Sequence, residues 1–129
     1  MVVSPSTGGN LSGSEEEGEV SAEVTAEGAV DVIGEGGFLL DVREQSEWNA
    51  GHAPEATHIP LGQIGDRIGE LPTDRPIVCV CHLGGRSARA TEALREKGLD
   101  ASNLVGGMVA WAAADLPVID ADGAPGIVV

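Results

Sequence analysis

The sequence predicts a three-layer α/β domain, with a mainly parallel sheet of about five strands and helices on both faces. Two short runs, Phe38-Leu39-Leu40 and Ile77-Val78-Cys79-Val80, are apolar throughout, as expected of strands that are buried on both sides. Segments with helical periodicity separate the strand candidates along the chain. The length of 129 residues suits one domain of this class.

The first half of the chain alternates between strand and helix patterns. Apolar and polar residues alternate over 20–24, which predicts a short, half-buried strand. Thr25 is placed to cap the following helix, which Gly34 ends. The next elements expected are a buried strand over 38–40 that ends at Asp41, a short helix over 44–50 and a brief strand over 57–59.

The second half continues the alternation. Residues 61–71 are expected to form a helix, weakened by glycines at 62, 65 and 69. The remaining elements expected are a buried strand over 77–80, a helix over 86–97, a strand over 101–105 and a helix over 108–114. Folds of this class place their chemistry in loops at the carboxyl ends of the strands. The loops after Leu40 and Val80 are therefore the candidate sites.

The charge of the chain narrows the classes of partner. Seven basic and 21 acidic residues give a net charge of −14. Binding to nucleic acid or to an anionic membrane surface needs a net attraction to phosphate, so neither partner is expected. Eight of the acids and no base lie within residues 1–37. We expect a disordered acidic leader over 1–19, the domain over 20–118 and a C-terminal tail over 119–129.

Neither a membrane span nor a secretory signal is expected. The longest apolar run covers 109–114, which is far too short for a span. No Lys or Arg precedes an apolar segment at the N-terminus, as a signal peptide requires. A cytoplasmic location is therefore expected, where reducing conditions keep Cys79 and Cys81 as free thiols.

The loop after the strand over 77–80 combines three features that favour a reactive thiolate. Cys81 follows the strand, a glycine-containing loop comes next, and a helix starts at Arg86. The helix N-terminus presents unpaired N–H groups, and the glycines let several of them converge on one point. Together with Arg86, this environment favours the thiolate of Cys81 over the thiol. Cys79, between two valines, is interpreted as an inert core residue.

The other residues that could carry chemistry receive structural interpretations. Asp41 is interpreted as a residue that orients the active loop. Arg43 and Glu47 are interpreted as an ion pair that ties the loop after Asp41 to the next helix. His52 and His58 have no further metal-type ligands nearby in the sequence, so we expect hydrogen-bonded core histidines rather than a zinc site.

A series of short motifs runs through the chain in order. They are Leu39-Leu40-Asp41-Val42-Arg43-Glu44, Glu47-Trp48, Gly51-His52, Ile59-Pro60, the Cys81-x-x-Gly84-x-Arg86-Ser87 loop and Gly106-Gly107-Met108-x-Ala110-Trp111. In this order and spacing they resemble a single rhodanese domain, over about residues 20–118. The resemblance implies a rhodanese-like fold and the activity of a sulfurtransferase.

The resemblance also implies roles for the residues of the loop. Cys81 would attack a sulfane sulfur donor such as thiosulfate, become a persulfide and pass the sulfur to cyanide or a thiol. Arg86 would hold the loop and attract the anionic donor. The residues expected to bind substrate are His82, Leu83, Gly84, Gly85, Arg86 and Ser87, with Asp41 and Arg43 in support. No metal or organic cofactor is implied, and the implied partners are a small anionic sulfur donor and a thiol or protein acceptor.

Two alternatives to this activity stay open. Four residues separate Cys81 from Arg86, one fewer than in the related cell-cycle phosphatases, so a phosphatase or an arsenate reductase is the weaker interpretation. His82 and Leu83 stand where many family members carry Arg and a small polar residue. This less cationic rim favours a persulfide or protein donor over thiosulfate. It also fits a binding module that holds a persulfide or senses oxidants with little turnover.

Overall fold

The computed structural model describes residues 22–129, so the acidic leader expected over 1–19 lies outside the described residues. Five strands form one sheet: β1 (Glu23–Val24), β2 (Phe38–Asp41), β3 (Thr57–His58), β4 (Ile77–Val80) and β5 (Ala101–Leu104). Their order across the sheet is β1-β5-β4-β2-β3, and every neighbouring pair is parallel. The predicted parallel sheet is confirmed.

The helices connect these strands. They are α1 (Ala26–Gly34), α2 (Gln45–Ala50), α3 (Ile64–Arg67), α4 (Gly85–Glu96) and α5 (Gly107–Ala113). Thr25 caps α1 as predicted, because its hydroxyl accepts a hydrogen bond from the N–H of Gly28 at 3.0 Å. No helix in residues 22–129 is long and apolar enough to cross a membrane.

The prediction of one helix over 61–71 is wrong. The segment consists of a 3₁₀ turn at Leu61–Gln63, the single turn of α3 and a second 3₁₀ turn at Ile68–Glu70. Glycines occupy a position in each of the three pieces, and glycine costs about 1 kcal/mol relative to alanine inside a helix. The apolar face survives this break, since Ile64 and Leu71 are both buried.

Two apolar layers cover the two faces of the sheet. Alternate residues of a strand point to opposite faces, so neighbours in β2 and β4 contribute to different layers. The layer on the α4 side contains Leu40, Ile77, Cys79, Ala90 and Leu94. The layer on the side of α1 and α5 contains Leu39, Val78, Ala29, Met108 and Trp111. This arrangement confirms helices on both faces of the sheet.

The C-terminal segment packs back onto the domain. Ile119 and His52 form an antiparallel bridge, in which each backbone N–H donates to the carbonyl of the other at 2.8 and 2.9 Å. Farther along, the N–H of Ile127 donates to the carbonyl of Ala50 at 2.9 Å. A Cβ atom on Gly51 would overlap the backbone of Ile127. Only glycine therefore lets the segment lie this close to the end of α2.

Strand register brings the loops of interest to one edge of the sheet. Asp41 at the end of β2 pairs with Val80 at the end of β4, and Cys79 pairs with Asn103 of β5. Cys81 is the first residue beyond β4, and α4 begins four residues later at Gly85. The cysteine loop therefore lies between the carboxyl ends of β2 and β5.

Candidate active site

The sulfur of Cys81 lies inside the turn that leads from β4 into α4. Its Sγ accepts hydrogen bonds from the N–H of Gly84 at 3.1 Å, the N–H of Ser87 at 3.3 Å and the hydroxyl of Ser87 at 3.2 Å. Gly84 has φ +114°, a left-handed conformation that glycine adopts with little cost and that folds the turn around the sulfur. We call this set of donors the thiolate cradle.

The thiolate cradle lowers the pKa of Cys81. Burial alone would raise the pKa, because it penalises the charged thiolate. The hydroxyl and N–H of Ser87 and the N–H groups of Gly84 and Arg86 outweigh that cost, and the pKa falls below its ordinary value. The Cys81 side chain is therefore buried, and its surroundings nevertheless favour the negatively charged thiolate.

Cys79 has the opposite character, although it is only two residues away. It lies in the core layer between the sheet and α4, and burial raises the pKa of its thiol to about 11. Both cysteines are free thiols. Cys79 is therefore a core residue, and Cys81 is the candidate nucleophile.

A buried amide that the sequence analysis missed stands beside the thiolate cradle. Asn103 of β5 is 7% exposed, its Oδ1 lies 2.6 Å from the hydroxyl of Ser87, and its Nδ2 donates to the carbonyl of Gly84 at 3.2 Å. The amide therefore contacts both residues that flank the sulfur. One signal was available: a polar side chain inside the predicted strand over 101–105, just before a Gly-Gly turn.

The start of α5 supports the cysteine loop from the other side. The N–H of Met108 donates to the carbonyl of Cys81 at 2.8 Å, and the N–H of Val109 donates to the carbonyl of His82 at 3.2 Å. Gly107 has φ +58°, and a Cβ atom on it would overlap both of those carbonyl oxygens. The motif Gly106-Gly107 thus lets one helix end press directly against the active loop.

Arg86 forms an ion pair that the sequence analysis assigned differently. Its guanidinium donates to both carboxylate oxygens of Glu47, at 2.7 and 2.9 Å, and so clamps α2 to the start of α4. This hydrogen-bonded pair lowers the pKa of Glu47 to about 2 and raises the pKa of Arg86. The predicted Arg43–Glu47 pair is wrong, because Glu47 is engaged by Arg86.

Arg43 instead pairs with Asp41, and both side chains are fully buried. The guanidinium and N–H of Arg43 donate to both carboxylate oxygens of Asp41 at 2.7–3.1 Å, and a further donor reaches the carbonyl of Gly51 at 2.8 Å. The interpretation that Asp41 orients the active loop is wrong, since its carboxylate is committed to Arg43. The pair ties the end of β2 to the end of α2.

The histidines occupy three different environments. The rings of His52 and His58 stack on Trp48, and each donates a ring N–H to a backbone carbonyl. His52 is buried, as expected of a core histidine, whereas His58 is half-buried. His82 lies in the active loop, and its Nδ1 is buried without a hydrogen-bond partner among residues 22–129. In that part of the chain, no group of three or more His, Cys, Asp or Glu side chains could hold a metal ion.

The rim of the loop is apolar. Leu83 is 66% exposed, and Val109 of α5, whose N–H holds the loop, is 42% exposed. Gly85 is the first residue of α4, and a Cβ atom added to it would meet no atom within 4 Å. With Arg86 paired to Glu47, the rim presents more hydrocarbon than unpaired positive charge to an incoming molecule.

Comparisons with known proteins agree with this arrangement. A family model described as Rhodanese-like domain matches residues 25–114. A sulfurtransferase of Allochromatium vinosum is 37% identical over 87 residues, which make up 67% of this chain and 81% of the relative. The HTH-type transcriptional regulator Rv0324 of Mycobacterium tuberculosis is 41% identical over 90 residues, but the match spans only 38% of the regulator. The crystal structure of a rhodanese-related protein from Thermoplasma volcanium has a TM-score of 0.71 and 29% identity, and covers 75% of this chain and 96% of that one.

Proposed function

This chain belongs to the rhodanese-like domain family, and from that premise we propose that it transfers a sulfane sulfur by way of a persulfide on Cys81. The observation that carries the proposal is the thiolate cradle, in which three hydrogen bonds at 3.1–3.3 Å converge on one sulfur. Such an arrangement stabilises negative charge on Sγ at the moments when the reaction places it there.

In the first half of the reaction, the thiolate of Cys81 attacks the outer sulfur of a donor. A bond forms between Sγ and that sulfur, and the donor's sulfur–sulfur bond breaks. The electron pair leaves with the remainder of the donor, as sulfite from thiosulfate or as a thiolate from a persulfide. A lowered pKa supports this step, because the thiolate is the nucleophilic form.

In the second half, cyanide or a thiolate acceptor attacks the outer sulfur of the Cys81 persulfide. The new bond to the acceptor forms, and the persulfide bond breaks with its electron pair returning to Sγ. Cys81 is the leaving group here, and a leaving thiolate of lower pKa departs faster. The hydrogen bonds of Gly84 and Ser87 therefore assist both halves of the cycle.

The surroundings of the loop bear on the donor. Arg86 is neutralised by Glu47 at 2.7 Å, and Leu83 is 66% exposed. A small dianion such as thiosulfate gains little from a paired arginine, whereas an organic or protein-bound persulfide can also bury hydrocarbon against the rim. We therefore propose a persulfide, on a small thiol or a protein, as the preferred donor.

A persulfide carrier with little turnover is the second candidate, and the same apolar rim favours it. In that case the sulfur would stay on Cys81 until a partner removes it. The two candidates differ in rate rather than in chemistry, so they are separated by measuring how fast an excess of small thiol removes the sulfur.

A turnover assay with matched cysteine variants tests the proposal. Thiosulfate and glutathione persulfide are supplied in turn as donors, with cyanide as the acceptor, and the thiocyanate formed is measured. Cys81→Ser is expected to reduce thiocyanate formation to the rate measured without protein, and Cys79→Ser is the control that keeps the wild-type rate. We expect a higher kcat/KM with the persulfide donor. Product formation by Cys81→Ser at the wild-type rate would overturn the assignment, and no acceleration above the rate without protein with either donor would favour the carrier.

A further inference from the structure

The hydroxyl of Ser87 has two acceptors and a single proton. Cys81 Sγ lies 3.2 Å from the hydroxyl oxygen, and Asn103 Oδ1 lies 2.6 Å from it. When Sγ is a thiolate and the amide oxygen faces the serine, both groups can only accept a hydrogen bond. The hydroxyl can therefore make a full hydrogen bond to only one of them at a time.

The amide of Asn103 is held in the orientation that creates this competition. Its Nδ2 donates to the carbonyl of Gly84 at 3.2 Å, which leaves Oδ1 facing Ser87. The backbone of Asn103 is fixed on both sides, since it pairs with Cys79 of β4 and with Glu23 of β1. Rotation of the amide would place two oxygens, Oδ1 and the Gly84 carbonyl, against each other.

We propose that Asn103 is a positioning residue that competes with Cys81 for the hydroxyl proton of Ser87. When Sγ carries no charge, as in the persulfide, the proton lies toward Asn103. When Sγ becomes a thiolate, the proton turns to the sulfur, because a hydrogen bond to a charged acceptor is about twice as strong. The inference rests on the proposed function in taking Cys81 as the reacting thiolate.

The competition moderates the reactivity of the sulfur. A thiolate that is stabilised by every donor around it becomes a weak nucleophile, and the best attacking thiol has a pKa near the ambient pH. Because the Ser87 proton must leave Asn103 to reach Sγ, the thiolate gains less net stabilisation than an uncontested hydroxyl would give, and the pKa of Cys81 is lowered less. Asn103 also keeps Gly84 in place, so the backbone part of the thiolate cradle is constant.

The charged and titratable groups near the sulfur do not change in the test, and the loss of the hydrogen bond from Asn103 to Gly84 is common to both leucine variants. The charged and titratable groups around Cys81 are Arg86 of α4 with its partner Glu47 of α2, His82 of the loop and Cys79 of β4. The residues of β5 and α5 that pack against the loop are all uncharged. A comparison among variants of Ser87 and Asn103 therefore leaves this background unchanged.

A double-mutant cycle decides between competition and simple support. The pKa of Cys81 is measured in wild type, Ser87→Ala, Asn103→Leu and the double variant, from the pH dependence of alkylation at Cys81 located by peptide mass. Competition predicts that Ser87→Ala raises the pKa more when residue 103 is leucine, by about one further pH unit, because the hydroxyl then belongs to the sulfur alone.

The opposite sign overturns the proposal. If Asn103 only orients Ser87 toward the sulfur, removing the amide weakens the serine's effect, and Ser87→Ala then shifts the pKa equally or less in the leucine background. Folding of Asn103→Leu is checked by circular dichroism. If this variant does not fold, Asn103→Ala, which also lacks the acceptor, replaces it in the cycle. Alkylation needs no sulfur donor, so the outcome is independent of whether the protein transfers sulfur.

Discussion

Replacement of Gly107 by alanine is expected to displace the loop that carries Cys81. The new Cβ would overlap the carbonyl oxygens of Cys81 and His82 and would lie 2.6 Å from the carbonyl carbon of His82. Both oxygens belong to backbone, which cannot turn aside as a flexible side chain could. Relief of the overlap therefore requires that the start of α5 and the active loop move apart.

The cost of this change follows from the contacts that it breaks. Alanine at φ +58° costs about 1–2 kcal/mol. The hydrogen bonds from Met108 and Val109 to the loop, at 2.8 and 3.2 Å, contribute about 1 kcal/mol each. Together these give a loss of about 3 kcal/mol in the free energy of unfolding, or a Tm lower by roughly 10–20 °C. A shift of the loop by about 1 Å slows sulfur loading of Cys81 by roughly 100-fold.

Gly98 offers a matched control. It also has a left-handed φ, at +84°, but no atom lies within 4 Å of a Cβ added there, at the far end of α4. Gly98→Ala is expected to lose only the same conformational cost of about 1–2 kcal/mol and to keep its rate of sulfur loading. Urea unfolding measures the stability of both variants, and mass spectrometry follows the loading. If Gly107→Ala behaves like Gly98→Ala in both measurements, α5 does not position the loop.

Four further predictions follow from the ion pairs and the cysteines. Arg43→Met leaves the buried carboxylate of Asp41 unpaired and is expected to lower the free energy of unfolding in urea by about 3–5 kcal/mol. Adding Asp41→Asn to this variant should recover part of the loss, and equal stability of the single and double variants would contradict the pairing. Glu47→Gln releases Arg86, so thiosulfate should load Cys81 a few-fold faster at low salt, and an unchanged rate would show that the pair does not limit anion binding. Because the pKa of Glu47 is lowered from 4.5 to about 2, its contribution to stability is complete above pH 4.5, and the difference from Glu47→Gln should vanish as the pH falls to about 2. Alkylation at about pH 8 should modify Cys81 and spare Cys79, whose pKa is raised to about 11, and equal labelling would refute the contrast between them.

The features of the site that depend on residues close together in sequence could be predicted. The end of a buried strand, a glycine turn and a helix start follow each other within 77–86, and short-range rules place the sulfur of Cys81 near the helix N-terminus. The helix cap at Thr25 depends on contacts within one turn and was predicted for the same reason. The glycines within 61–71 divide that short segment into three separate turns, which the spacing of its apolar residues does not reveal.

The side-chain pairing could not be predicted in the same way. Asp41 and Arg43 are two residues apart at a strand end and therefore point to the same side, where they pair with each other. Because Arg43 pairs with Asp41, Glu47 is free to pair with Arg86, which lies 39 residues away in sequence. This contact depends on how α2 lies relative to α4. Asn103 likewise reaches the thiolate cradle through the register of β5 against β4. Composition and spacing contain no information about such long-range contacts.

The role of Cys81 as the sulfur carrier is tested most directly by the intact mass of the protein before and after exposure to a persulfide donor. We expect one added sulfur atom, about 32 Da, located on the peptide that contains Cys81, and its loss when a thiol is added. The Cys79→Ser variant should gain and lose the same mass, and Cys81→Ser should gain none. A sulfur found on Cys79, or a Cys81→Ser protein that still gains the sulfur, would show that Cys81 is not the sulfur carrier.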